Sequence, residues 1–119
     1  MNFEGREKRR FIRANYPCKI IIYTPEKQVI VTRTENIGAG GVRVLIEKEL
    51  KVSLAVDLEI YFAESPIKCK GRIVWMLPKE NLKLDEAKKY DTGIEFYRIA
   101  SADRSTIAKL IDEIVSKEK

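Results

Sequence analysis

At 119 residues, 45% hydrophobic and 34% charged, the chain has the size and composition of one globular domain that can bury its own core. No apolar run approaches the length of a membrane-spanning helix, and the amino terminus MNFEGREKRR lacks the hydrophobic stretch of a signal peptide. A cytoplasmic protein with no membrane insertion is expected. Histidine is absent, which removes the commonest general base and the commonest metal ligand together, so neither an enzyme nor a metal site is expected.

Lysine and arginine total 23 against 18 acids, a net charge of +5. Residues 1–20 carry Arg6, Lys8, Arg9, Arg10, Arg13 and Lys19 against Glu4 and Glu7, so +4 of that charge sits at one end. A protein that tracks a nucleic-acid backbone spreads its basic residues along a face or groove. Charge confined to one end suits a compact anion better than a polymer.

In chain order, residues 1–15 read as a flexible basic arm that ends at Tyr16-Pro17, where proline disfavours helix in the residue before it. Arg9 and Arg13 are four apart and share a side whether the arm is helical or extended. Two guanidiniums converging from one side can each grip a phosphate bidentately, which lysine cannot do. A solvated basic tail is the plainer alternative.

Cys18–Thr24 and Val29–Thr34 are β-branched runs separated by the turn residues Thr24-Pro25-Glu26-Lys27, which predicts a hairpin. Between Thr34 and the next run, Val42–Ile46, lie Asn36, Gly38, Gly40 and Gly41, residues that tolerate φ > 0. They predict a loop between strands, either a long turn with a bulge or a cradle of backbone N–H groups for an anion.

From Val56 to Phe62 the pattern alternates cleanly, with Val56, Leu58, Ile60 and Phe62 inward. Ile67, Cys69, Gly71, Ile73 and Trp75 alternate in the same way, which places Trp75 in the core near one end of the sheet. The inward Gly71 predicts a bend or close packing. Cys18 and Cys69 are expected as buried free thiols.

Pro78–Lys89 is a charged connection, and Asp91–Tyr97 restores strand character with Ile94 and Phe96 inward. From about 101 to 117 the period changes, and Ile107, Leu110, Ile111 and Ile114 fall on one stripe of an amphipathic helix. Six short strands and one helix predict a small antiparallel barrel over 16–119 with the helix packed on it.

Two segments resemble motifs of the PilZ domain family. Glu7-Lys8-Arg9-Arg10-Phe11-Ile12-Arg13 is similar to the family's RxxxR motif, and Asn36-Ile37-Gly38-Ala39-Gly40-Gly41 to its Asp/Asn-x-Ser-x-x-Gly motif. Gly71–Trp75 and Thr92–Phe96 resemble its late barrel strands. The resemblance covers nearly the whole chain. It implies a mainly β fold, a six-stranded antiparallel barrel of Greek-key or split-barrel type with a C-terminal α-helix, in a single-domain member that binds the second messenger cyclic di-GMP. No other cofactor is implied.

Carried onto this chain, the resemblance makes Arg9 and Arg13 the principal clamp and Arg10 a helper. Asn36 would read a guanine edge and Gly41 would set the turn. Gly38 stands where the family usually has serine, which predicts weakened binding. Trp75 acquires a second reading, a platform on which a guanine stacks, and Lys8 could influence whether one nucleotide or a stacked pair binds. The partners expected are cyclic di-GMP and an unidentified protein to which the signal passes; nucleic acid is disfavoured. Two alternatives remain, a degenerate PilZ-like interaction module that no longer binds the nucleotide and a small nucleic-acid-binding barrel.

Overall fold

In the computed structural model, which describes residues 13–62, 65–79 and 87–117, the described chain forms antiparallel strands followed by a helix. The strands are β1 (Arg13–Ala14), β2 (Lys19–Tyr23), β3 (Val29–Gly38), β4 (Gly41–Ile46), β5 (Ala55–Tyr61), β6 (Ile67–Pro78) and β7 (Tyr90–Arg98). The helix, α1, is Ser101–Lys117. Hydrogen-bonded neighbours run β1-β3-β2-β5-β6-β7-β4, and β4 pairs back onto β3. The last six therefore close into the expected barrel, with β1 as an extra strand on β3, and closure removes the open edges at which chains aggregate.

Period-2 alternation builds the core. Ile20 and Ile22 of β2, Val56, Leu58 and Ile60 of β5, and Ile73 of β6 are all at most 3% exposed. Gly71 faces inward as expected, and a Cβ there would collide with the side chains of Ile94 and Leu58. Cys18 and Cys69 are buried free thiols. Burial raises both thiol pKa values, that of Cys69 from an ordinary 9.0 to about 12. Ile107 and Ile111 of α1 are buried, Leu110 and Ile114 pack at the margin, and the helix rests on β1 and β3.

β3 changes partners halfway along. Val29–Arg33 pair with β2, the register shifts between Thr34 and Asn36, and Asn36–Gly38 pair with β4. Ile37 and Gly38 also pair with Ala14 and Arg13 of β1. Thr34 sits at the changeover. Its Oγ1 donates to Tyr16 O at 2.8 Å and accepts from Cys18 N at 3.0 Å, while its own N–H donates to Cys18 O at 2.9 Å. The connection from β1 to β2 is thereby fastened to β3. Within β1 alternation buries Ala14 and turns Arg13 outward.

Two expectations change. The glycine-rich segment is not an open loop: Asn36–Gly38 belong to β3, β4 begins at Gly41, and the turn is Ala39-Gly40 alone. None of the glycines described has a positive φ. Gly41 is needed for a different reason, since a Cβ there would strike the backbone carbonyl of Ile94 on β7. Trp75 is not in the core; it is 37% exposed. Ile73 pairs with Ile94, but Trp75 pairs with Gly93, so two steps on β6 match one on β7. That bulge at Val74 turns both Val74 and Trp75 outward and restores the inward phase only at Met76.

Candidate functional site

One transverse row on the outside of the barrel joins two residues singled out by the sequence, Asn36 and Trp75. Asn36 of β3 pairs with Arg43 of β4, Arg43 with Gly93 of β7, and Gly93 with Trp75 of β6. The parallel inner row, Ile37, Val42, Ile94 and Ile73, is buried and fixes the spacing of the outer one. Arg13, held by β1, donates from Nε to Asn36 Oδ1 at 2.9 Å. Arg13, Asn36, Gly41, Arg43, Trp75 and Gly93 all line one cleft of about 670 Å³.

Gly93 makes the cleft possible. A Cβ at that position would overlap the indole ring of Trp75, so the ring lies against bare backbone and walls one end of the cleft. Arg13 and Asn36 form the other end, about three strands away along the row. Neighbouring strands are spaced by roughly 4.7–4.9 Å, so the path round the barrel surface from one end of the row to the other is about 15 Å.

The electrostatics are set by two arginines. Arg13 has its pKa lowered, first by desolvation and then by repulsion from Arg43. Arg43 has its pKa raised, chiefly by its hydrogen bonds and attraction to Asp91 and further by attraction to Glu35. Both remain charged at neutral pH. Arg43 grips Asp91 with a fork, Nε to Oδ1 at 2.8 Å and Nη2 to Oδ2 at 2.7 Å. Glu95 is the one carboxylate among the residues that line the cleft.

Of the residues singled out by sequence, Arg13, Asn36, Gly41 and Trp75 line the cleft. Gly38 is the register partner of Arg13 and lies two residues beyond Asn36, on the same face of β3. Lys8, Arg9 and Arg10 lie outside the described residues. Sequence reasoning missed Arg43, Asp91 and Gly93. Their signal was alternation: Arg43 stands between inward Val42 and Val44, and Gly93 beside inward Ile94. Among the described residues no group of three or more acids or cysteines could hold a metal ion, and no helix is long and apolar enough to cross a membrane.

Comparison with solved structures places this barrel beside three others. The inhibitor of motility MotI/DgrA of Bacillus subtilis superposes with a TM-score of 0.76 at 18% identity, covering 93% of this chain and 53% of that one. The PilZ domain of Escherichia coli YcgR, solved with cyclic di-GMP, gives 0.72 at 11% identity, covering 93% and 94%. The Klebsiella pneumoniae MrkH complex with cyclic di-GMP gives 0.73 at 14% identity, covering 92% and 53%. The chain thus spans about half the length of MotI and MrkH and nearly all of the YcgR domain. No curated protein matched the sequence. The family model described as PilZ domain matches residues 7–113, and the chain belongs to the PilZ domain family.

Proposed function

We propose that this chain is a receptor for cyclic di-GMP with no catalytic activity of its own. The observation that carries the reading is the hydrogen bond from Arg13 Nε to Asn36 Oδ1, which brings the end of the RxxxR segment and the start of the second motif into one cleft. Membership of a family in which YcgR and MrkH are solved with this nucleotide supports it.

In this reading Arg13 uses its remaining N–H groups on phosphate, where charge-assisted and bidentate bonds are strongest. Arg9 and Arg10 complete the clamp from the basic arm that precedes β1. Asn36 has donors and an acceptor suited to a guanine edge. Trp75 stacks on a base at the far end of the row. The ligand draws the arm against the barrel, and the changed surface is read by a partner protein; a differential contact of this kind is what a switch requires.

Calorimetric titration with cyclic di-GMP, with Arg13→Ala alongside, tests the proposal. Saturable binding by the wild type that weakens at least about tenfold in Arg13→Ala is expected, since hydrogen bonds to a charged group contribute roughly 1.5–3 kcal/mol. Absence of binding by the wild type would favour a second reading, an interaction module that has lost the nucleotide, for which Gly38 in place of serine is the supporting feature. Salt-sensitive binding of single-stranded DNA that cyclic di-GMP fails to displace would favour a nucleic-acid-binding barrel instead.

A further inference from the structure

Arg43 belongs to neither motif, yet it occupies the middle of the cross-strand row, between Asn36 and Gly93. Two of its five N–H donors are used on Asp91, leaving three for another acceptor. Asp91 lies two residues from Gly93 on the same face of β7, so the grip is diagonal and holds the Arg43 side chain at the rim of the cleft. Arg13, the other described cation lining that cleft, is anchored by a different acceptor, Asn36.

Two like charges are therefore held at neighbouring places along one groove, each by an acceptor that fixes its direction. Such an arrangement raises the energy of the empty cleft, and an anion placed between the two lowers it. The arrangement is not explained by stability, because a partly exposed ion pair contributes little to folding. The negative groups facing Arg43 are Asp91 and Glu35, and the carboxylate lining the cleft is Glu95.

We propose that Arg43 is a further ligand-contacting residue, which donates to a phosphate of the bound cyclic dinucleotide, and that Asp91 is the positioning residue that aims it. The proposal rests on the receptor reading above. It divides the phosphate grip between the basic segment that ends at Arg13 and the barrel strand β4, where Arg43 stands ready. Pre-aiming the guanidinium lowers the ordering cost of binding.

Asp91 supplies a test in which electrostatics and positioning have opposite signs. Removing a negative charge from beside an anion site should tighten binding if Asp91 is only a neighbour. Removing the residue that orients Arg43 should weaken it. Arg43→Gln, Arg43→Lys and Asp91→Asn are titrated with cyclic di-GMP in the full chain by calorimetry, and thermal melting of each variant monitors the fold.

Arg43→Gln should bind at least about tenfold more weakly, and Arg43→Lys should fall between it and the wild type, because it keeps the charge and loses the fork. Asp91→Asn should bind roughly threefold or more weakly in spite of its lost negative charge. Wild-type affinity in Arg43→Gln overturns the inference while leaving the receptor reading intact. If Arg43→Gln melts early, wild-type affinity in a normally melting Arg43→Lys overturns it in the same way. Equal or tighter binding by Asp91→Asn overturns the positioning role, and no binding by the wild type overturns the receptor reading and this inference together.

Discussion

The indole of Trp75 occupies the space that a side chain on Gly93 would fill, and the two residues are register partners across β6 and β7. The ring is therefore held against backbone on one side and remains open to the cleft on the other. A base stacking on it would change the surroundings of the chain's single tryptophan. Saturating cyclic di-GMP should shift or quench its fluorescence, and Trp75→Ala should weaken binding by about 1–3 kcal/mol, the range of base stacking on an aromatic platform. Unchanged emission with undiminished affinity in Trp75→Ala would leave the ring as a wall of the cleft and nothing more.

Gly93→Ala probes the same relationship from the other strand. The new methyl group must push the indole aside, and a partly exposed ring can move outward without opening a cavity in the core. The fluorescence of the free protein should change and ligand affinity should fall. Stability should change by less than about 1 kcal/mol, since surface substitutions without core consequences have small effects. A large loss of stability on thermal melting would mean that the ring is fixed more tightly than its exposure indicates.

The course of the barrel was largely legible in the sequence because alternation depends on each strand alone. Val56, Leu58 and Ile60 are inward, and the Ile107–Ile114 stripe lies on the barrel, as their spacing predicts. The exposed position of Trp75 was not legible. It depends on a bulge at Val74, and a bulge is a relation between two strands that neither strand's pattern contains. The same holds for Gly41, whose requirement comes from the carbonyl of Ile94, 53 residues further along the sequence, rather than from its own φ. Arg43, Asp91 and Gly93 form part of the site only because closure of β4 against β7 brings them into the row. Local pattern shows which face a residue takes, and the register of the closed barrel decides what it meets there.

Gly38→Ser should tighten the binding of cyclic di-GMP. The residue shares a face of β3 with Asn36 and pairs with Arg13, so a serine hydroxyl would enter the same neighbourhood as the Arg13–Asn36 hydrogen bond. One added hydrogen bond is worth roughly 0.5–1.5 kcal/mol net, or about two- to tenfold in affinity. Equal or weaker binding by a variant that melts like the wild type would sink the assignment of this segment as the ligand-reading motif.

Thr34 links the stability of the barrel to the placement of Arg13. Its hydroxyl is buried and serves both Tyr16 O and Cys18 N, so Thr34→Val keeps the shape while leaving a part-buried acceptor and a buried donor unpaired. The expected loss is about 1–3 kcal/mol for each buried group left unsatisfied, read by denaturant unfolding. Because the bonds tie down the connection that follows β1, affinity for cyclic di-GMP should fall as well, and more than in a variant of equal stability loss made elsewhere in the core. Leu58→Ala, in the core on β5, which pairs with β2 and β6 and with neither β1 nor β3, is a suitable comparison. Equal affinities in the two variants would separate the fastening of β1 from ligand binding.

The buried thiols give a prediction in pH. Burial favours the neutral form of Cys69 and raises its pKa to about 12, and it raises that of Cys18 in the same direction. The native state therefore holds these protons more tightly than the unfolded chain does. Their contribution to stability is complete below the ordinary thiol value of 9.0 and is lost as pH rises through that value toward about 12. Unfolding free energy should decline over this alkaline interval, and the decline should shrink in Cys69→Ala when the slopes, rather than the absolute stabilities, are compared. Near pH 8 the native protein should resist alkylation by iodoacetamide at both cysteines while the denatured chain reacts, because the thiolate is the nucleophile. Rapid labelling of Cys69 in a sample that still melts cooperatively would mean that the barrel opens locally at β6, and the alkaline loss of stability would then have another source.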